Sequence, residues 1–240
     1  MTVIMQCETP EVVIRRIRNS LCLGAEAFGL QAESLLEEYQ NEEVYRKLLK
    51  EMKGRPCYAT YYRGKANTGK SDEVLAQGIL RLAESGVALC DVMGDLFCRH
   101  PEELCEDEAA KKKQMDLIDR IHGLGANVLM SSHLRKFVPA ERVLEIAREQ
   151  KARGADVVKI VTKGNNMAEQ IENLRITNLL KEELGAPFLY LSGGTCSIHR
   201  RLGGHLGNCM TLCVFEHDAL STASQPLLST MKTVRDQLDF

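Results

Sequence analysis

Two residues in this chain have the type and setting for carbonyl chemistry. Lys159 lies in GADVVKI, inside a run otherwise made of valine and isoleucine. Burial disfavours the charged form of an amine, and a neutral amine is what attacks a ketone or aldehyde to form an imine. The plainer reading is a strand-end lysine whose stem lies on apolar surface while its head reaches water. His133 closes the run MSSH, where an imidazole could move a proton beside such an imine. Taken alone, it could equally be a surface-loop histidine. Further along, SGGTCSIHRRLGG carries Arg200 and Arg201. A guanidinium fork fits a carboxylate or phosphate, although either arginine could be a surface charge at a helix start. Ser221 and Gln225, in STASQP, could hydrogen-bond a hydroxylated substrate or cap a turn.

These residues need a frame that brings them together. Short apolar runs recur at 3–5, 25–30, 57–62, 87–92, 126–131, 156–161, 187–191 and 209–215. Between them lie segments with apolar residues at helical spacing, clearest over 71–85, 140–153 and 168–183. Gly24, Gly86, Gly125, Gly154 and Gly185 each stand just before a strand, where a helix ends in the left-handed conformation that glycine tolerates. The strands are rich in β-branched residues and hardly alternate, as strands covered on both faces should be. Strict alternation of strand and helix means a parallel sheet. Eight repeats of roughly 30 residues favour a closed (β/α)8 (TIM) barrel, as one domain over residues 1–240, above an open doubly wound sheet. No glycine-rich phosphate loop follows the first strand, which weakens the open-sheet alternative. In such barrels, chemistry sits where strands end and βα loops begin. Lys159 and His133 fall on neighbouring strands near those ends.

Composition removes other classes. The chain has 240 residues, 44% hydrophobic and 27% charged, with a formal net charge of −2. It is long enough to bury a core without disulfides or metals. There is no basic excess to meet nucleic acid, and EDEAAKKK, which carries both signs, is expected to be an exposed helix face. No run approaches a membrane span, and the first residues lack the pattern of a secretory signal, so a cytoplasmic protein is expected. Nine cysteines, with Cys22, Cys57, Cys90 and Cys209 in apolar contexts, are expected to be buried free thiols.

The motifs GADVVKI, SSHLRKFVP, the loop ending RRLGG and the Ser-x-x-x-Gln spacing of Ser221 and Gln225 together resemble type I 3-dehydroquinate dehydratase. The order and separations agree along the C-terminal half of the chain, and the eight-strand count agrees along all of it. The resemblance implies a lyase that needs no cofactor or metal and acts on a small carboxylated substrate. It implies Lys159 as the imine-forming lysine and His133 as the general acid/base. It implies Arg201, in preference to Arg200, on the substrate carboxylate. Ser221 and Gln225 would be the polar pair of the loop that closes over the substrate. A homodimer is implied as well.

The N-terminal half departs from the family pattern. Gly29 and Gln31 stand where the family has a Glu-x-Arg pair that contacts substrate. Arg63 is one residue away from the expected arginine. The glutamate that supports the histidine has no match, since Ala66 or Asn67 stands near its place. Asp91 is kept, but Met93 occupies a commonly acidic position, and LSGG replaces a methionine-containing turn. Losing a charged contact to a buried group costs on the order of 1.5–3 kcal/mol. A second possibility is therefore a relative that keeps Lys159 and His133 but dehydrates or cleaves another β-hydroxy carbonyl compound. A third, of a different class, is a zinc-binding protein using Cys196, His199, His205, Cys209 and Cys213. Cys209 and Cys213 are expected on one core strand, which makes a shared ligand geometry difficult.

Overall fold

The computed structural model describes residues 1–238. Eight strands alternate with helices along the chain. They are β1 (Thr2–Met5), β2 (Ala27–Gln31), β3 (Cys57–Thr60), β4 (Leu89–Met93), β5 (Asn127–His133), β6 (Val157–Gly164), β7 (Phe188–Gly194) and β8 (Leu212–Cys213). The helices between and after them are α1 (Pro10–Cys22), α2 (Glu42–Glu51), α3 (Asp72–Glu84), α4 (Glu108–Gly123), α5 (Ala140–Ala152), α6 (Met167–Glu183), α7 (His199–Leu202) and α8 (Leu228–Leu238). The strands form one sheet in the order β7-β6-β5-β4-β3-β2-β1-β8, and the fold is of the (β/α)8 TIM-barrel class. Among the described residues, no helix is long and apolar enough to cross a membrane.

Local chemistry sets the helix limits. Asn41, Ser71 and Asn166 accept hydrogen bonds from the third residue beyond them and so cap α2, α3 and α6. Gly24, Gly86, Gly125, Gly154 and Gly185 all adopt positive φ, between 60° and 100°, at the helix-to-strand joints. EDEAAKKK enters the start of α4, whose lysines and glutamates are largely exposed.

The chain divides into two compact units. The first comprises 1–91, 120–127 and 212–240, and the second 92–119 and 128–211. In the second, the core between strands and helices contains Val158, Ile160, Phe188 and Tyr190 against Val143, Ile146, Ala147, Ile176 and Leu180. Even-numbered residues of β6 therefore face the helices. Side chains alternate along a strand, so Lys159 and Val161 face the other way. In the first unit, Ile4, Gly29, Tyr58 and Leu89 share one register layer.

Two expectations need correction. The last strand was expected over 209–215, but only Leu212–Cys213 is strand. Cys209 lies before it, exposed, with its N–H on Phe188 O. The adjacent Asn208 side chain bonds both the N–H and C=O of Tyr190, so this stretch is held by β7 rather than running as a strand. Cys57 and Cys90 are buried as expected, whereas Cys22 and Cys209 are exposed. An apolar neighbourhood in sequence does not choose which face of a helix end or loop meets water.

Candidate active site

The register of β5, β6 and β7 aligns the candidate residues. Ser131 pairs with Lys159, which pairs with Leu189. His133 is two residues beyond Ser131 and shares its face. Lys159 and His133 thus project from the same side of the sheet, one pleat apart, with His133 nearer the strand ends. Lys159 is only 4% exposed.

His133 is held by Glu103, on the loop between β4 and α4. A single carboxylate oxygen, Oε2, accepts the His133 backbone N–H at 2.9 Å and meets Nδ1 at 2.7 Å. An acceptor at Nδ1 places the ring proton there and makes Nε2 the basic nitrogen. Burial opposes ionisation of Glu103, but the hydrogen bonds and charge of His133 outweigh it and hold the carboxyl below its ordinary value. Glu103 adopts φ of +46°, a conformation uncommon outside glycine. Its loop is tied down from two helices. Gln114 of α4 donates to the carbonyls of Gly94 and Leu96, and Arg153, just past α5, donates to those of Gly94 and Cys105. The histidine's carboxylate partner, absent from the family position near Ala66 and Asn67, is thus supplied by a different loop. Asn67 is engaged within its own loop, with Tyr62 O and Lys70. Nothing periodic marks Glu103 in the sequence. The nearest signal is its place in the βα loop immediately before α4.

After β7, the two arginines differ. Arg201 is exposed and hydrogen-bonds Ser197 one turn back. Arg200 donates through Nε to Ser192 O, and burial lowers its guanidinium pKa to about 10. Of the two, Arg200 is the half-buried cation at the end of β7, and Arg201 is the exposed one. Gly194 has φ of +84°, and a Cβ there would stand 2.6 Å from Gly164 O. This glycine is required by the close approach of β6 and β7.

In the first unit, the ends of β1 and β2 gather polar side chains. Gln6 donates to Gln31 Oε1 and Thr222 Oγ1, and accepts the Thr222 N–H. Lys65 bonds Gln31 Oε1 and Ser34 Oγ. Gln225 is buried, and its Oε1 has no hydrogen-bond partner among the described residues. Ser221 bonds Asp218 in a turn. Arg63 forks onto Asp72 at 2.7–2.8 Å, an ion pair that anchors the start of α3. Tyr58 and Tyr62 both donate to Asp91 Oδ2. A Cβ at Gly29 would meet Ile4 Cδ1 at 2.3 Å and Tyr58 Cδ1 at 3.2 Å, so a side chain there requires the Ile4 tip to move. Gly29 thus packs against hydrocarbon and a phenol ring.

Among the described residues, no three histidine, cysteine, aspartate or glutamate side chains gather as a metal site. Cys196 bonds Asn166 O, His199 bonds Thr177 Oγ1, and Cys213 bonds Thr2 O.

A (β/α)8 barrel with a buried lysine and a carboxylate-held histidine on adjacent strands defines a class of sites suited to imine chemistry. The whole chain, residues 1–240, matches the family model described as type I 3-dehydroquinase. The chain belongs to the type I 3-dehydroquinase family. Among solved structures it is similar to 3-dehydroquinate dehydratase from Geobacillus kaustophilus HTA426, with a TM-score of 0.82 and 17% identity over 99% of this chain and 90% of that one. The type I enzyme from Clostridium difficile, carrying covalently modified comenic acid, gives the same score and identity over 99% and 91%. Deoxyribose phosphate aldolase from Aeropyrum pernix is similar at a TM-score of 0.63 and 18% identity, over 97% and 88%. No curated protein sequence matches.

Proposed function

We propose that this protein eliminates water from 3-dehydroquinate through an imine on Lys159, giving 3-dehydroshikimate. The observation that carries the reading is the shared face of Lys159 and His133, with Glu103 fixing the histidine tautomer. In the proposed cycle the Lys159 amine adds to the substrate ketone, and loss of water gives a cationic imine. That cation acidifies the neighbouring C–H. His133 Nε2 removes the proton, leaving an enamine. The β-hydroxyl then departs, taking a proton from the histidine, so that one water is released across the new C=C bond. Addition of water to the imine frees the ketone and restores the amine. General acid–base help of this kind contributes roughly 10²–10⁴-fold. Arg200, in place of Arg201, is the better candidate for the substrate carboxylate, because it is half-buried and held at the end of β7 by Ser192 O, whereas Arg201 is exposed. On the first unit, Gln225 is the residue best suited to receive a hydroxyl, since its buried oxygen is unsatisfied.

The test is borohydride reduction in the presence of 3-dehydroquinate. The expected result is a reduced-ligand mass on Lys159, absent from Lys159→Ala. A folded protein that dehydrates no 3-dehydroquinate and gives no adduct refutes this substrate.

A second reading keeps the imine but changes the substrate to another β-hydroxy carbonyl compound, dehydrated or cleaved in aldol fashion. Two observations favour it: Gly29 carries no side chain and packs against Ile4 and Tyr58, and Arg63 forks onto Asp72. A panel of such compounds, trapped in the same way, separates the two readings.

A further inference from the structure

We infer that Gln150, on the helix-facing side of the sheet, is a positioning residue that locks the backbone of Lys159 to the His133–Glu103 pair. The inference deepens the imine reading above and rests on it for its catalytic consequence.

Every other buried residue of α5 is apolar: Ala140, Val143, Leu144, Ile146 and Ala147. Gln150 takes the next inward position and is 0% exposed. A buried primary amide costs several kcal/mol unless it is hydrogen-bonded, on the order of 2–7 kcal/mol depending on reference state. An apolar residue would be the ordinary occupant. Here the amide is matched atom by atom. Its Oε1 accepts the Lys159 N–H at 3.2 Å, and its Nε2 donates to Lys159 O at 3.3 Å and to Ser132 Oγ at 2.9 Å. Ser132 donates its one hydroxyl proton to Glu103 O at 2.7 Å. The Glu103 carboxylate then holds both the backbone N–H and Nδ1 of His133.

The donor count allows only one direction along this chain. If the amide were turned over, its NH2 would face the Lys159 N–H. Ser132 would then lose its donor, because its own proton is already given to Glu103. The network therefore fixes the amide, and the amide fixes the distance between the Lys159 peptide and the Ser132–Glu103 link. Arg153, three residues on, holds the Glu103 loop from the same helix end. One short segment of α5 thus sets both the strand that carries the amine and the loop that orients the base. Gln150 lies on the opposite face of the sheet from the lysine side chain, so it acts through geometry and not by touching substrate.

The experiment uses Gln150→Met, which keeps length and apolar volume but removes the hydrogen bonds. Ser132→Ala serves as a second variant that cuts only the Gln150–Glu103 half. Two readouts are compared with wild type: kcat and KM for the reacting carbonyl substrate, and the downfield His133 Nδ1–H proton resonance in the free protein. A misplacement of reacting groups is expected to lower kcat about 10- to 100-fold while KM moves less than about threefold. The Nδ1–H resonance should broaden or shift in both variants. A folded Gln150→Met with wild-type kcat and an unchanged resonance overturns the inference. If Gln150→Met fails to fold, Ser132→Ala decides by the same two signs. If wild type traps no carbonyl compound but the resonance still responds to Gln150→Met, the imine reading falls while the positioning role stands.

Discussion

Glu103→Gln is the most informative single change for the proposed chemistry. The carboxylate makes two hydrogen bonds through one oxygen, to the His133 backbone N–H at 2.9 Å and to Nδ1 at 2.7 Å. A glutamine can place its carbonyl oxygen in the same position and keep both contacts, but it removes the negative charge. Hydrogen bonds to charged groups are worth about 1.5–3 kcal/mol against about 1 kcal/mol for neutral ones. The loss is therefore about 1–2 kcal/mol of orientation and imidazolium stabilisation. At about 1.4 kcal/mol per factor of ten, kcat should fall roughly 10-fold. Glu103→Leu removes the contacts as well, and roughly 100-fold is expected. KM should stay within about twofold in both, because Glu103 is not proposed to touch substrate. The assay follows appearance of the conjugated enone by its ultraviolet absorbance, with borohydride adduct yield measured alongside. Adduct should still form, since Lys159 is intact. Wild-type kcat in a folded Glu103→Leu protein would refute His133 as the base held by this carboxylate.

Other outcomes follow from the same geometry. Arg200→Leu should raise KM at least about tenfold, while Arg201→Leu, on an exposed helix turn, should change it less than about twofold. The reverse order in steady-state kinetics would restore Arg201 to the site. Burial first, and the nearby Arg200 charge second, depress His199 from 6.5 to about 4. The unfolded chain then binds the extra proton, so this stability is present above about pH 6.5 and is lost as pH falls toward 4. The total is about 3 kcal/mol. Urea midpoints measured across that range should fall with acid in wild type and fall less in His199→Gln. Gly29→Ala should destabilise by about 1–3 kcal/mol through contact with Ile4 and Tyr58, read as a lower thermal midpoint. An unshifted midpoint would mean that this layer can open for a side chain.

Much of the fold is legible in the sequence because its causes are local. Apolar runs, helical spacing and a glycine at five of the helix-to-strand joints are properties of short windows, and all five of those glycines take the left-handed φ that the pattern requires. That Lys159 and His133 lie on neighbouring strands is legible for the same reason, whereas their shared face follows from the Ser131–Lys159 register, which a one-residue slip would reverse. The short β8 was harder to read, since an apolar stretch does not reveal that its first part, at Asn208 and Cys209, is held by β7 and is not strand.

Tertiary structure alone decided the rest. Arg200 and Arg201 have the same chemistry and adjacent numbers, and a helix turns by about 100° between them. Only packing against β7 shows which one is held in and which is exposed. Glu103 comes from an irregular loop thirty residues before His133, where no periodicity constrains position, so its role emerges only when Gln114 and Arg153 fold that loop back. Gln150 looks like one more polar residue on an amphipathic helix until the Lys159 peptide is found beneath it. The amino-acid order determined the barrel and the neighbouring strands of Lys159 and His133 through short-range patterning. The partners that orient that pair depend on contacts between segments distant in sequence, and those exist only in the folded chain.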